Sequence, residues 1–153
     1  MGAVHRILSA ARAELGYSPE PDGRTKFGQW YADKIAHDQG FAGAAWCDMF
    51  VSWCAHKAGV AGQVGQFAAT MNHAAWFHHR HHWHTQPHVG AIVFFNFPDE
   101  PDPIDHVGLV EWVRNDGSII VLEGNAGPAP GKVLRTNYSS FVAGYGYPGY
   151  PKT

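Results

Sequence analysis

The segment from Ala44 to Gly59 constrains the fold of this 153-residue chain most strongly, because it is apolar around most of a helix. At about 100° per residue its apolar side chains cover a wide arc, and only Asp48, Ser52 and His56 form a polar strip. Such a helix is mostly buried at the centre of a domain. Cys47 opens it, where unpaired backbone N–H groups and the helix dipole stabilise a thiolate. The segment therefore indicates either an activated cysteine nucleophile or a buried structural cysteine.

Composition and charge exclude several classes of protein. The length predicts a single compact domain over residues 1–153. Eleven basic against thirteen acidic side chains give a net charge of −2, which argues against a nucleic-acid partner held through phosphate contacts. No apolar run reaches membrane-spanning length, and the N-terminus lacks a signal-peptide core, so neither membrane insertion nor export by such a signal is predicted. Cys47 and Cys54 are about 10 Å apart on one helix, so both are expected to be free thiols.

Hydrophobic spacing predicts helices first and strands afterwards. The predicted helices are Val4–Leu15, a second that Thr25 caps, the Cys47 helix, and Thr70–His79. The predicted strands are Ala91–Phe97, Val107–Arg114, Ser118–Glu123, Lys132–Asn137 and Val142–Tyr147. Helices followed by strands imply an α+β domain, with N-terminal helices packed on an antiparallel sheet.

The Asn-Asp-Gly sequence at 115–117 predicts a hairpin between the second and third strands. With a two-residue turn, His106, Glu123 and Asn125 point to the same face of the sheet. A four-residue loop would preserve this arrangement, whereas a three-residue loop would break it. A histidine with two candidate orienting groups, together with Cys47, is the set that a cysteine nucleophile requires. The other interpretation is a hairpin with incidental polar residues.

Several motifs, in this order, resemble the CHAP domains, which are cysteine- and histidine-dependent amidohydrolases and peptidases. The motifs are Trp46-Cys47 at a helix start, AIVFF, DHVGLVEWV and LEGN. TKFGQWYA, CDMFVSWCAHKAGV and GYGYPGY extend the resemblance from about Thr25 to Tyr150. It implies a papain-like fold related to the NlpC/P60 hydrolases. Ala91 departs from the pattern, since members often carry an acid there. Many relatives also carry a separate wall-binding domain, and none is expected within residues 1–153.

The resemblance implies a role for each candidate catalytic residue. Cys47 would attack an amide carbonyl to give a thioester acyl-enzyme, and His106 would pair with the thiolate and protonate the leaving amine. Glu123 would accept the other ring N–H, and Asn125 would orient the ring or polarise the site. The ideal strand register favours Asn125 as the direct partner of His106, while the resemblance favours Glu123, which we adopt. Neither a cofactor nor a metal is expected.

The resemblance also implies a substrate, bacterial peptidoglycan. The predicted activity is that of an N-acetylmuramoyl-L-alanine amidase or a peptidoglycan endopeptidase, acting as a monomer, with a general cysteine peptidase or acyltransferase as the alternative. Trp46, Trp30 and Tyr31 are candidates to line the substrate groove, although aromatic residues of this kind usually pack in cores. Without a signal peptide the protein resembles a bacteriophage endolysin, cytoplasmic until release and then acting on the cell wall. A domain cut from a longer protein would look identical.

Seven of the eleven histidines fall between His73 and His88. On a helix His78 and His82 would have the i, i+4 spacing that can bind zinc, which leaves a non-catalytic metal- or wall-binding module as another alternative. No carboxylate or cysteine is interleaved, so a solvated, pH-responsive edge is favoured. Below about pH 6 this edge would become positive and could help the protein meet an anionic wall.

Overall fold

The computed structural model describes residues 1–152 and shows helices followed by a sheet. The helices are α1 (Ala3–Arg12), α2 (Lys26–Trp30), α3 (Cys47–Lys57), α4 (Ala61–Val64) and α5 (Thr70–His79), with a π-helical turn at Tyr31–Ala36 and a 3₁₀ turn at Gln39–Phe41. None of the helices within residues 1–152 has the length and apolar character needed to cross a membrane.

The strands form one antiparallel sheet in the order β1-β6-β2-β3-β4-β5. They are β1 (Trp83–His84), β2 (Ile92–Phe95), β3 (His106–Val113), β4 (Ile119–Ala126), β5 (Lys132–Tyr138) and β6 (Val142–Gly146). The predicted α+β class is therefore confirmed. Hydrophobic spacing did not predict α4 or the two-residue strand β1, which lies inside the histidine-rich run and pairs with β6.

Helix α3 lies at the centre of the domain, against β3 and β4 on one side and α1 on the other. Its polar strip is largely buried as well, because Asp48 and Ser52 are both 0% exposed. Each has a specific partner: Asp48 pairs with His73 of α5, and the Ser52 hydroxyl donates to the Phe67 carbonyl. Burial of polar groups is tolerated when hydrogen bonds replace those to water, so this face of α3 also packs inward.

Gly124 of β4 sets the distance between the sheet and α3. A Cβ atom at this position would lie 2.8 Å from Cβ of Phe50 and 2.9 Å from the Trp46 ring. Only glycine permits that approach. Because Gly124 follows Glu123 and Phe50 lies one turn after Cys47, this contact brings the start of α3 close to the residues of β4 that carry the site.

The hairpin between β3 and β4 differs from the predicted one. Its loop has three residues, because the Arg114 N–H donates to the Ser118 carbonyl at 2.8 Å and Gly117 adopts φ +86°. The predicted two-residue turn is wrong. A bulge between Val110 and Trp112 adds one residue to β3. The third loop residue and the bulge residue each reverse which face of the sheet the side chains point to. Together they restore the predicted alternation, so His106 and Glu123 still meet.

Candidate active site

Cys47 is the first residue of α3 and is 7% exposed. Trp46, the preceding residue, provides no side-chain cap for the helix. The first backbone N–H groups of a helix have no partner inside it, so the region beside the Cys47 thiol has hydrogen-bond donors and the positive end of the helix dipole. Cys47 is a free thiol, as is Cys54 two turns later.

His106, the first residue of β3, connects Cys47 to a buried carboxylate. Its Nε2 lies 2.6 Å from Oε1 of Glu123, and the Cys47 side chain lines the same cavity as the ring and influences its charge. Since Nε2 is engaged by Glu123, Nδ1 remains for the sulfur. Burial of the ring disfavours its charged form, but the hydrogen bonds and charges of Cys47 and Glu123 outweigh this and raise the pKa of His106 to about 10.

Glu123 of β4 is 0% exposed and is held from two sides. In addition to the imidazole, the Tyr138 hydroxyl donates to its Oε1 at 2.9 Å and its Oε2 at 3.0 Å. Burial, followed by the neighbouring Glu123 charge, raises the pKa of Tyr138. The hydroxyl therefore stays protonated and can act as a permanent donor to the carboxylate.

Tyr138 is a residue of the site that no sequence motif predicted. Within the β4–β5 ladder the residue paired with Glu123 is Leu134, and Tyr138 is paired with Ile119. Even the correct register therefore places the hydroxyl four residues away along β5. The Tyr138 ring packs against Phe95, at 4.5 Å between centroids, and this packing holds the hydroxyl near the carboxylate.

Asn125 lies near these residues but takes no part in the His106–Glu123 hydrogen bond. The β4–β5 register shifts between Glu123 and Ala126, and Asn125 takes a left-handed φ of +55°. Its Oδ1 approaches Gly131, where a Cβ would lie only 2.6 Å away. Within residues 1–152 it makes no hydrogen bond to His106, so its expected contribution to orienting the ring stays a prediction.

A cavity of about 600 Å³ opens over these residues. Cys47, His106, Glu123 and Asn125 all contribute to its lining, as does Tyr138. The cavity therefore gives a substrate access to the Cys47 thiol, whereas the Cys54 thiol is buried and does not line it.

The three aromatic residues proposed for the substrate groove lie elsewhere. Trp46 is 3% exposed and stacks on Phe27 at 5.6 Å between centroids, and Tyr31 is 9% exposed. Trp30 is partly exposed and packs against Tyr31 and His56. None of Trp46, Trp30 and Tyr31 lines the cavity. A role for them in substrate binding stays a prediction, and in this structure they form part of an aromatic core.

Asp105 is a second residue whose role was not predicted from the sequence. Its carboxylate accepts hydrogen bonds from the Phe97 N–H at 2.9 and 3.2 Å, and it lies directly before His106. It thereby closes the loop between β2 and β3 and fixes the start of the strand that carries the imidazole. An acid before a histidine gives no sequence signal for this role, because the partner is a backbone group eight residues earlier, in the loop that follows β2.

A helix-borne cysteine, a strand-borne histidine and a buried glutamate on an antiparallel sheet define a papain-like α+β protein with a cysteine–histidine site. Residues 37–125, more than half of the chain, match the CHAP domain family. The protein belongs to the CHAP domain family. No curated protein matches the chain in sequence.

Two solved structures share the fold. One, from Staphylococcus aureus subsp. aureus Mu50, is described as similar to a lipoprotein of the NLP/P60 family. It matches with a TM-score of 0.55 and 13% sequence identity, and the match covers 94% of this chain and 40% of the other chain. The other is Ly7917, with a TM-score of 0.50 and 25% identity over 95% of this chain and 62% of its own. This chain thus spans less than two thirds of either protein, and the comparison with the first shows the fold alone.

Proposed function

We propose that this protein is a peptidoglycan hydrolase that cleaves amide bonds through a cysteine thioester. The observation that carries the proposal is that Cys47, at the start of α3, lines one open cavity together with His106 and the buried Glu123 to which His106 is hydrogen-bonded. Membership of the CHAP family supports the cell wall as the substrate. The geometry supplies a nucleophile, a proton carrier and a group that orients the proton carrier.

In the first step, the Cys47 sulfur attacks the amide carbonyl carbon while the imidazolium of His106 faces the departing nitrogen. Collapse of the tetrahedral intermediate breaks the C–N bond, and the His106 proton moves to the amine that leaves. In the second step, neutral His106 accepts a proton from water, whose oxygen attacks the thioester carbon. The C–S bond breaks, the carboxylic acid leaves and the thiolate–imidazolium pair is restored.

The surrounding residues stabilise the charged species in both steps. Glu123 accepts the Nε2–H hydrogen bond, which holds the ring with Nδ1 toward sulfur and favours the imidazolium. The uncapped start of α3 supplies the Cys47 N–H as a donor to the oxygen that becomes negative in the tetrahedral intermediate. The protein thereby stabilises charge where the reaction creates it.

The test is the clearing of a suspension of purified bacterial walls. Wild type is expected to clear the walls, Cys47→Ala to lose at least about 10³-fold in rate, and Cys54→Ala to retain activity. Cys54 is the matched control because it is a buried thiol on the same helix, where burial raises its pKa and leaves it unreactive. Equal clearing by Cys47→Ala and wild type would contradict the proposed nucleophile.

Mass spectrometry of the released fragments separates the two proposed activities. An amidase leaves the lactyl group of the sugar as a free acid and exposes the amino group of the first alanine. An endopeptidase leaves the sugar–peptide bond intact and exposes an amine within the peptide part. Cleavage of unfolded casein at the same rate as peptidoglycan would instead support a general cysteine peptidase.

A further inference from the structure

The negative charge of this protein is confined to part of the chain. No Asp or Glu occurs between Asp48 and Asp99, and none follows Glu123. The two acid-free stretches include α5, β1, β2 and β6. In the fold α5 packs on β1 and β6, and β1 pairs with β6 at the edge of the sheet. One edge of the domain is therefore built from elements that carry no acid.

Most of the histidines lie on this edge. We call the following seven residues the α5–β1 histidine surface: His78, His79, Arg80, His81, His82, His84 and His88. All are exposed except His82, which is half-buried. Helix α5 ends at His79, so His78 and His82 do not form the helical pair that a zinc site would use. The surface therefore presents separate rings to solvent.

Stacking holds several of these side chains in place. The His78 ring stacks on Trp83 at 4.3 Å between centroids, and the Arg80 guanidinium lies 4.4 Å from the centre of the Trp76 ring. Tyr147 stacks with two histidines of this surface, His84 at 3.9 Å and His88 at 4.5 Å. Ordered side chains lose less conformational entropy when they bind a ligand.

Within residues 1–152, the elements packed against the surface carry no Asp or Glu. The titratable side chains on β6 and in the segment up to residue 152 are Tyr145, Tyr147, Tyr150 and Lys152. On the inner side of α5, His73 is 0% exposed and already pairs with Asp48 at 2.8 Å. Within residues 1–152 neither Arg80 nor any of the six histidines of the surface forms an ion pair with an acid.

We propose that the α5–β1 histidine surface binds a phosphodiester polymer of the bacterial cell wall at mildly acidic pH and releases it at alkaline pH. A histidine becomes cationic as the pH falls through about 6.5. Each histidine of the surface that is protonated adds a cation to the fixed charge of Arg80. Imidazolium and guanidinium groups both donate charge-assisted hydrogen bonds to phosphate oxygens. The identity of the polymer rests on the proposed function, which brings the protein to the wall.

The proposal predicts a strong dependence of binding on salt as well as on pH. A surface that neutralises about four phosphates releases about as many counterions, so the logarithm of the binding constant should fall with a slope near −3 against the logarithm of salt concentration. At pH 8, where the proposal predicts release of the polymer, the slope should lie between 0 and about −1.

Co-sedimentation with purified walls tests the proposal. Gram-positive walls carrying teichoic acid are compared with the same walls after hydrofluoric acid treatment, which removes phosphodiester polymers and leaves peptidoglycan. All proteins carry Cys47→Ala, so that the walls are not cut during the measurement. We expect untreated walls to bind at least tenfold more tightly at pH 5.5 than at pH 8.0, and treated walls to lose this difference.

Variants assign the effect to the surface. The test variant is His79→Gln, His81→Asn, His84→Gln and His88→Gln, with Asn at 81 because that residue has φ +59° and Asn tolerates a left-handed backbone. All four side chains are exposed, and circular dichroism checks that the variants remain folded. The matched control is His5→Gln with His37→Asn, two exposed histidines outside the surface. The test variant should lose the pH dependence, and the control should keep it.

The proposal would be overturned by binding that is independent of pH, by equal pH dependence on treated walls, or by full pH dependence in the test variant. Equally tight binding to double-stranded DNA would show a general polyanion site and would also overturn the assignment to a wall polymer. Hydrolysis is measured separately, with unmodified Cys47 on treated walls at pH 8. Failure there would count against the proposed function without affecting the binding result.

Discussion

Replacement of Glu123 by Gln tests the electrostatic link between the buried carboxylate and His106. Gln has nearly the same size, but it removes the negative charge from the atom that lies 2.6 Å from Nε2. An opposite charge in contact raises the pKa of a base by about 1–3 units, or about 1–4 kcal/mol. In wild type the pKa of His106 is raised to about 10. Without the carboxylate it should fall to between about 7 and 9.

The consequence for activity follows from the direction of this shift. Cationic His106 is required to protonate the leaving amine, so activity is lost as the pH rises through the pKa of the ring. Wild type should keep its activity up to about pH 10. Glu123→Gln should lose activity at a pH about 1–3 units lower, with a fall in kcat that reaches about 10⁴-fold if the ring also loses its orientation.

The assay is dye release from labelled walls, with initial rates measured from pH 5 to pH 11. The matched control is Glu111→Gln, which removes a buried carboxylate from the neighbouring strand β3. Glu111 pairs with Arg12 and Arg135 and lies outside the cavity. Its replacement should leave the pH limit unchanged. If Glu123→Gln keeps both the wild-type limit and a rate within threefold of wild type, the assigned role of the carboxylate is wrong.

Three further substitutions test the supporting structure. Tyr138→Phe removes a hydrogen bond to a charged group and should lower the free energy of unfolding by about 1.5–3 kcal/mol in urea titrations. We also expect kcat to fall by a larger factor than KM rises. If neither the free energy of unfolding nor kcat changes, the role assigned to the hydroxyl is wrong. Gly124→Ala should cost about 1–3 kcal/mol and slow wall clearing, because its methyl group meets α3, whereas Gly62→Ala, with no atom within 4 Å of the added Cβ, should do neither. His73→Gln should lower the free energy of unfolding by about 3–5 kcal/mol, because it leaves the Asp48 charge buried without its partner. Adding Asp48→Asn should recover much of that loss. Strictly additive losses in the double variant would refute this coupling.

Sequence patterns predicted the elements of this fold because each pattern is local. The apolar arc of α3, the Thr25 cap and the extent of α5 all correspond to the structure. The Thr25 hydroxyl accepts from the Gly28 N–H at 2.9 Å, as a helix cap should. Strand β1 could not be predicted in the same way. Two residues inside a histidine run form a strand only because β6 lies beside them.

The site depended on tertiary geometry that spacing alone does not determine. The three-residue loop and the bulge near Glu111 were each unpredictable, and their effects on the alternation of side chains cancel. The preference for Glu123 over Asn125 came from family resemblance, and it is the Glu123 carboxylate that contacts His106. The hydroxyl of Tyr138 reaches that carboxylate although Glu123 is paired with Leu134, and no local pattern encodes such a contact.

The most direct test of the central claim is alkylation of the folded protein with limiting iodoacetamide, followed by peptide mapping and an activity assay on the same samples. Cys47 is expected to carry the label, with activity lost in proportion to its modification, while Cys54 stays unlabelled because it is 1% exposed and its raised pKa keeps it a thiol. Full modification of Cys47 with wall-clearing activity intact would contradict the assignment of Cys47 as the nucleophile.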